Sequence, residues 1–376
     1  MIYQLVPSLS RGDAVGNEIN AIHRYFQEHN IESAIVSDTK RYPSSDSDYS
    51  MEAYLDIVTE QDMIIVHMAT YWQDLPTLIE TPKKRVMVYH NITPESFFVD
   101  YDEKTAYCCK LARRQVRALS KSFDIAIGDS EYNAQELRDF GYKNVVSIPL
   151  LIPFEDYERE PNKKLMETYQ DGKTNILFVG RLVPNKCIED ILFSYMEYRK
   201  INANSRLILV GSDAFTPYVG KLHLFCRDHL VPDVVFANKV SFSDILAYYR
   251  VADLFLCLSE HEGFCVPLLE AMTFQVPIVA YASTAIPKTL GDAGVLLDVM
   301  EKDPTKIAAV MNAVLSDNSL KEQLNANAKK RLMDFAPEVI FPQLLSALQL
   351  PHDNHIATSA NNTNIANAAS NEGEKA

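Results

Sequence analysis

Glycine is scarce, at 12 of 376 residues, where average usage would place roughly 26. That shortage excludes a collagen-like repeat, a Gly/Ser linker protein and a fold made of many tight hairpins. Positive charge is short too: 36 Lys+Arg stand against 50 Asp+Glu, a formal net charge of −14. A chain this acidic lacks the general positive field that releases counterions from nucleic acid, so no nucleic-acid partner is expected. No apolar run reaches the ~18 residues of a membrane-spanning helix, and Met1 to Val6 has neither region of a signal peptide. A cytoplasmic location is the expectation. The six cysteines (Cys108, Cys109, Cys187, Cys226, Cys257, Cys265) offer no pair at two-residue spacing and no nearby histidine pair. No zinc site is therefore expected, and they read as buried small hydrophobes.

What is present is alternation. Apolar runs at 2–6, 32–37, 63–68, 85–90, 123–128 and 145–150, and again at 175–180, 206–211, 234–237, 253–259, 276–281 and 294–298, are separated by helix-length amphipathic stretches. The pattern predicts β-α-β units with parallel sheets covered on both faces. The length suits two domains at about 150 residues each. The expected division is an N-terminal domain over 1–150, a linker over 151–172 where prolines and charge interrupt the alternation, and a C-terminal domain over 173–336. A last helix over 337–350 is expected to cross back and pack on the N-terminal domain, followed by a disordered polar tail over 351–376.

Four segments carry chemistry. In SEHEGFCVPLLEAM (259–272), Pro267 suits the start of a helix, placing Glu262 and Gly263 in the preceding loop and Glu270 in the first turn. The amides of Phe264, Cys265 and Val266 would then lie unpaired at a helix N-terminus, where an anion is favoured. In NILFVGRLVPNKCIEDIL (175–192), a strand ends at Gly180, Arg181 follows, and Asn185 can cap a helix whose first turn carries Lys186. Two cations on that rim suit a diphosphate. In SRGDAVGNEINAI (10–22), Gly12 and Gly16 allow close backbone approach, and Gly16 or Asn17 could open a helix toward phosphate. The loop has neither dinucleotide-fold nor P-loop spacing. In YHNITPESFF (89–98), His90 ends an apolar run on a sheet rim, as a structural residue or as a partner for a sugar hydroxyl.

Together, Glu262 and Glu270 at E-x7-E spacing, Arg181 with Lys186, the first glycine loop and the strand-end His90 resemble the family 4 glycosyltransferases. Over 1–345 the chain is similar to bacterial enzymes of O-antigen and surface-polysaccharide synthesis. The resemblance implies an α/β GT-B fold, two Rossmann-like doubly wound domains facing a cleft, with donor on the C-terminal side and acceptor on the N-terminal side. It implies that Arg181 and Lys186 hold the donor diphosphate, Glu262 and the amides of Gly263, Phe264, Cys265 and Val266 the sugar, and Glu270 the ribose. Gly16 would lie beneath the phosphates and His90 near the reacting carbon. It further implies retention of anomeric configuration, a nucleotide-sugar substrate in place of any cofactor, and no metal, since the cations and helix terminus do that work. GDP-mannose or a related GDP-sugar is the first expectation for the donor, and a glycan or polyprenyl-diphosphate-linked glycan for the acceptor. Two departures stand out: the first loop lacks adjacent glycines, and STAIPKTLGDAG (283–294) carries Lys288 where relatives often have glutamate. The second is read as peripheral to the chemistry.

Rival readings are a nucleotide-sugar epimerase of the same fold and a catalytically silent binding scaffold. Asp46-Ser47-Asp48 matches the metal-binding motif of the other common glycosyltransferase fold, but no apolar strand precedes it, and it reads as a polar loop. Lys110, Arg114, Arg117 and Lys121 recur at helical spacing. They form a basic stripe that reads either as a solvated face or as a dock for an anionic membrane surface.

Overall fold

A computed structural model describes residues 1–9, 12–42 and 47–351 of the chain. Asp46 and the tail from 352 onward lie outside the described residues. All twelve apolar runs become strands. β1 (Ile2–Val6), β2 (Ser33–Ser37), β3 (Tyr49–Ser50), β4 (Met63–Met68), β5 (Lys84–Tyr89), β6 (Ile125–Gly128) and β7 (Val145–Ser147) form a sheet of order β3-β2-β1-β4-β5-β6-β7. β8 (Thr174–Val179), β9 (Ser205–Val210), β10 (Val234–Asn238), β11 (Leu254–Cys257), β12 (Ile278–Tyr281) and β13 (Val295–Leu297) form a second, of order β10-β9-β8-β11-β12-β13. Every adjacent pair is parallel. β3 escapes a pattern search because two residues carry no periodicity.

Central strands are buried along their whole length, as in β1, β4 and β9, because helices cover both faces. Strand order reverses between β1 and β4 in one sheet and between β8 and β11 in the other. Crevices at the carboxyl ends of strands open at such switch points. The loops after β8 and β11 are those that hold Arg181, Lys186 and Glu262.

One segment differs from the reading of the sequence, and two others gain a structural role. The stretch 151–172 contains a 3₁₀ turn (Phe154–Glu158) and a helix (Lys163–Tyr169), and its Ile152 and Tyr157 join the C-terminal core. Prolines and charges had masked that packing. The Pro337–Ala347 helix lays Ile340, Phe341, Leu344 and Leu345 against Ile2, Ile22, Phe26 and Ile65 of the N-terminal domain. Asp48 is a structural ligand of the sheet, its carboxylate accepting the Ile35 amide at 2.7 Å. No helix among the described residues is long and apolar enough to cross a membrane.

Candidate active site

The C-terminal wall starts where two backbones nearly touch. A side chain on Gly211, just after β9, would meet the carbonyl oxygen of Gly180 at 1.8 Å. Arg181 follows, exposed, its guanidinium without an ion pair or hydrogen bond among the described residues. Lys186 ends a 3₁₀ turn (Pro184–Lys186) ahead of the helix Ile188–Ile201. Asn185 does not cap that helix; Cys187, at φ 49°, occupies the cap position. The Asn185 side chain instead donates to the His261 carbonyl at 2.9 Å, and the Asn185 backbone carbonyl accepts the Glu260 amide at 2.9 Å. Those two bonds lock the Lys186 turn to the Glu262 loop, so that Lys186 Nζ sits 2.5 Å from Glu262 Oε1. Burial pulls the Lys186 ammonium down, but the Glu262 carboxylate outweighs it and holds the group above its ordinary value.

The Glu262 loop is propped from behind. Thr284 Oγ1 accepts the Glu262 amide at 2.8 Å, Ser283 donates to the Ser259 carbonyl at 2.5 Å, and Thr289 donates to the Phe264 carbonyl at 2.8 Å. Ser283, Thr284 and Thr289, on either side of Lys288, thus hold the loop in place. Cys265 takes φ 73°, and the helix Val266–Thr273 begins immediately after it. The amides of Gly263, Phe264, Cys265 and Val266 donate to no described group. Four unpaired donors at a helix N-terminus are an anion site in waiting. Glu270 lies one turn deeper than its expected place, since the helix has no acidic residue in its first turn. Its Oε1 accepts from the Tyr157 hydroxyl at 3.0 Å and its Oε2 from Tyr249 at 2.7 Å. Burial raises its carboxyl above the ordinary value, against the two hydroxyls.

On the N-terminal wall the helix Ala14–Glu28 starts earlier than the glycine spacing implied. Asp13 caps it, accepting the Gly16 amide at 2.7 Å, so neither Gly16 nor Asn17 opens it. His90, its side chain 2% exposed, turns both ring nitrogens into the domain. Nε2 lies 3.0 Å from His67 Nδ1, and His67 Nε2 lies 3.1 Å from Gln4 Oε1. Because the Gln4 amide nitrogen donates to the Ile19 carbonyl, its oxygen faces His67, which must carry its proton on Nε2. His67 Nδ1 is then an acceptor and His90 Nε2 its donor. His90 Nδ1 faces Glu18 Oε2 at 3.4 Å and Asp129 Oδ2 at 3.7 Å. Burial lowers the basicity of His90, but the two carboxylates outweigh it and the net shift is upward. Burial likewise drives Glu18 up to about 7.

The walls meet through residues that the sequence reading passed over. Asn91, at φ 71°, accepts from or donates to no water-facing group: its Oδ1 lies 2.7 Å from His261 Nε2, and its Nδ2 donates to Asn133 Oδ1 at 2.7 Å. The Ser130 hydroxyl, which caps the helix Glu131–Asp139, also donates to the Gly263 carbonyl at 2.5 Å. A side chain on Gly263 would stand 2.6 Å from Asn91 Cβ. Burial pushes His261 down to about 4, so its imidazole is neutral. Asn91 adjoins His90 in YHNITPESFF, but nothing in one sequence says which residue the opposite domain will meet.

Among the described residues, three clusters place metal-ligating atoms within 4.8 Å of one another: Glu18/His67/His90, Cys257/Glu262/Cys265 and Cys187/Asp190/Glu260. In each, the protein's own groups already use the ligands. The histidines bond each other and Gln4, Lys186 takes Glu262, and Lys302 pairs with Asp190 and Glu260.

Residues 161–331 match the family described as glycosyl transferases group 1. Among curated proteins, the capsular polysaccharide biosynthesis glycosyltransferase CapM of Staphylococcus aureus is 27% identical over 52% of this chain and 51% of its own. The O-antigen chain mannosyltransferase B of Escherichia coli is 28% identical over 63% of this chain and 64% of its own. The matches therefore span between half and two-thirds of those relatives. Among solved structures, Anabaena HepE in complex with UDP and glucose superposes at a TM-score of 0.70 with 17% identity, covering 93% of this chain and 99% of that one. Sucrose-phosphate synthase from Thermosynechococcus elongatus gives 0.72 with 16% identity over 93% and 98%. Two facing Rossmann-like domains of the GT-B fold thus carry, over residues 161–331, the stretch that matches the glycosyl transferases group 1 family.

Proposed function

We propose that the protein transfers a sugar from a nucleotide-diphosphate donor to a hydroxyl of a glycan or lipid-linked glycan, with retention of anomeric configuration. The observation that carries this reading is the juxtaposition of Lys186 and Glu262 at 2.5 Å with the unpaired amides of Gly263 to Val266 and the free Arg181 guanidinium. Arg181 and Lys186 would neutralise charge growing on the departing diphosphate. The amides and Glu262 would hold the donor's phosphate and sugar. Because those cations are side chains, the proposed reaction is metal-independent. Glu270 would take the ribose by exchanging one of its two tyrosine partners, and Gly16 would pass beneath the phosphates. His90, its ring held inside the domain, would border the sugar from below.

Surface-polysaccharide synthesis is the proposed setting. The chain's relatives include an O-antigen mannosyltransferase and a capsular enzyme, which favours GDP-mannose as first donor to test, while the HepE complex contains UDP and glucose. Lys110, Arg114, Arg117 and Lys121 are all exposed on and just after the helix Glu103–Ala118, beside Tyr107 at 59% exposure. We assign that face to an anionic membrane surface near a polyprenyl-diphosphate acceptor. The deciding experiment is a thermal-shift panel of nucleoside diphosphates, followed by turnover of the matching nucleotide-sugar and the anomeric coupling constant of the product. A nucleotide that stabilises the fold in proportion to its concentration supports the reading. Donor consumption without any acceptor would favour an epimerase instead.

A further inference from the structure

The Glu262 loop is bracketed by two thiols. Cys257 is the last residue of β11, and Cys265 is the left-handed residue from which the Val266–Thr273 helix springs. Their sulfurs are 3.9 Å apart, and both side chains are buried, at 2% and 6% exposure. Glu262 lies within 4.8 Å of both sulfurs, with the Lys186 ammonium on its carboxylate. The Ser259 hydroxyl lies 3.5 Å from the Cys257 sulfur.

We propose that Cys257 and Cys265 are an oxidative modification site, converted by a small two-electron oxidant such as hydrogen peroxide into a disulfide that clamps both ends of the Glu262 loop. The alternative use of such a cluster, capture of a thiophilic cation, would first have to expel the Lys186 ammonium from Glu262. Cross-linking needs no such exchange.

The contact favours the first step. The contact with the Cys265 sulfur, with Ser259 and Lys186 nearby, holds the Cys257 thiol below its ordinary value. The Cys257 thiolate attacks one peroxide oxygen, the O–O bond breaks, and the hydroxide released takes up a proton to leave as water. Cys257 is then a sulfenic acid. Cys265, losing its proton, attacks that sulfur, the S–O bond breaks, and a second water leaves. Two thiols are oxidised by two electrons and one peroxide is reduced to two waters.

Closing the bond brings the sulfurs from 3.9 Å to about 2.05 Å. β11 is paired on both sides, to β8 and β12, so the loop side must move. With it go Glu262 and the unpaired amides. Access follows the domain interface, because Gly263 and His261 seal the loop against Asn91 and Ser130.

The test uses the full reduced chain exposed to hydrogen peroxide, then alkylated under denaturing conditions and digested with trypsin. Both cysteines fall in the fragment 251–288, which should lose both alkyl groups and become lighter by two hydrogens than the unalkylated reduced peptide. Cleavage after Glu260 or Glu262 should leave its halves joined until dithiothreitol is added. Cys257→Ser should give no joined halves, and wild type alone should show the reversible mass change, so the result stands even if the variant folds poorly. Full alkylation of both residues after treatment that oxidises the exposed Cys108 would overturn the proposal, as would a Cys257 sulfinic acid with no link. The nucleoside-diphosphate thermal shift provides a second readout, expected to vanish on oxidation and return on reduction. That readout rests on the proposed function. Its absence from reduced protein would count against that function, while the mass change would still decide the cross-link.

Discussion

The Asn91 side-chain oxygen of the N-terminal domain meets His261 Nε2 of the C-terminal domain at 2.7 Å, a buried bond that spans the cleft. His261 falls to about 4 on folding, from an unfolded value near 6.5. Between those values the unfolded chain binds more protons, so this histidine's contribution to stability is present above pH ~6.5 and lost as pH falls toward 4. The linked loss is on the order of 3 kcal/mol. Urea denaturation at pH 7 and pH 4.5 should show a steeper loss in wild type than in His261→Gln. Parallel losses would remove His261 from the acid sensitivity.

Glu18 has the opposite sign. Its carboxyl rises to about 7, so its contribution is complete below its unfolded value and is lost as pH climbs through 7. Glu18→Gln should gain stability relative to wild type at pH 8.5 and show little difference at pH 4.5. The gain should be about 3 kcal/mol, and a constant offset between the two pH values would contradict it.

Lys186 and Glu262 test chemistry against packing. Lys186→Ala leaves a carboxylate of 9% exposure unpaired, at about 3 kcal/mol, and should remove turnover by at least about 100-fold. The double variant Lys186→Met with Glu262→Gln should recover most of the stability and none of the turnover. Recovery of both would reduce the pair to a structural contact.

Gly263→Ala tests closure. Its new carbon would stand 2.6 Å from Asn91 Cβ, forcing the walls apart. Small-angle scattering should show a larger radius of gyration with the secondary structure intact, and pairing it with Asn91→Gly should restore the wild-type dimension. An unchanged radius in the single variant would mean that the interface yields locally.

Metal independence is the simplest to check. Turnover should survive excess EDTA, because the positive charges assigned to the diphosphate are Arg181 and Lys186.

Strands were legible because fully buried strands read as continuous apolar runs, and twelve such runs sufficed for two parallel sheets. The Lys186–Glu262 contact was half legible: each residue stood beside a strand end, but its partner is 76 residues away and only the parallel pairing of β8 with β11 brings them together. Ser283, Thr284 and Thr289 were missed because hydroxyls that prop a loop look like any turn. Asn91, Asn133 and His261 were missed for a deeper reason. Their value lies in meeting each other across two domains, and no local period encodes that. Gly263 stood in the sequence as a residue of the loop ahead of a helix, and what comes close to its backbone is Asn91.

The Pro337–Ala347 helix has a consequence for synthesis. It covers an apolar face of the first domain made up of Ile2, Ile22, Phe26 and Ile65, yet it is translated after the whole of the second domain. The first-made half therefore waits on the ribosome with one flank bare until that helix emerges. A nascent chain stalled in the second domain is a natural client for chaperones that bind exposed hydrocarbon.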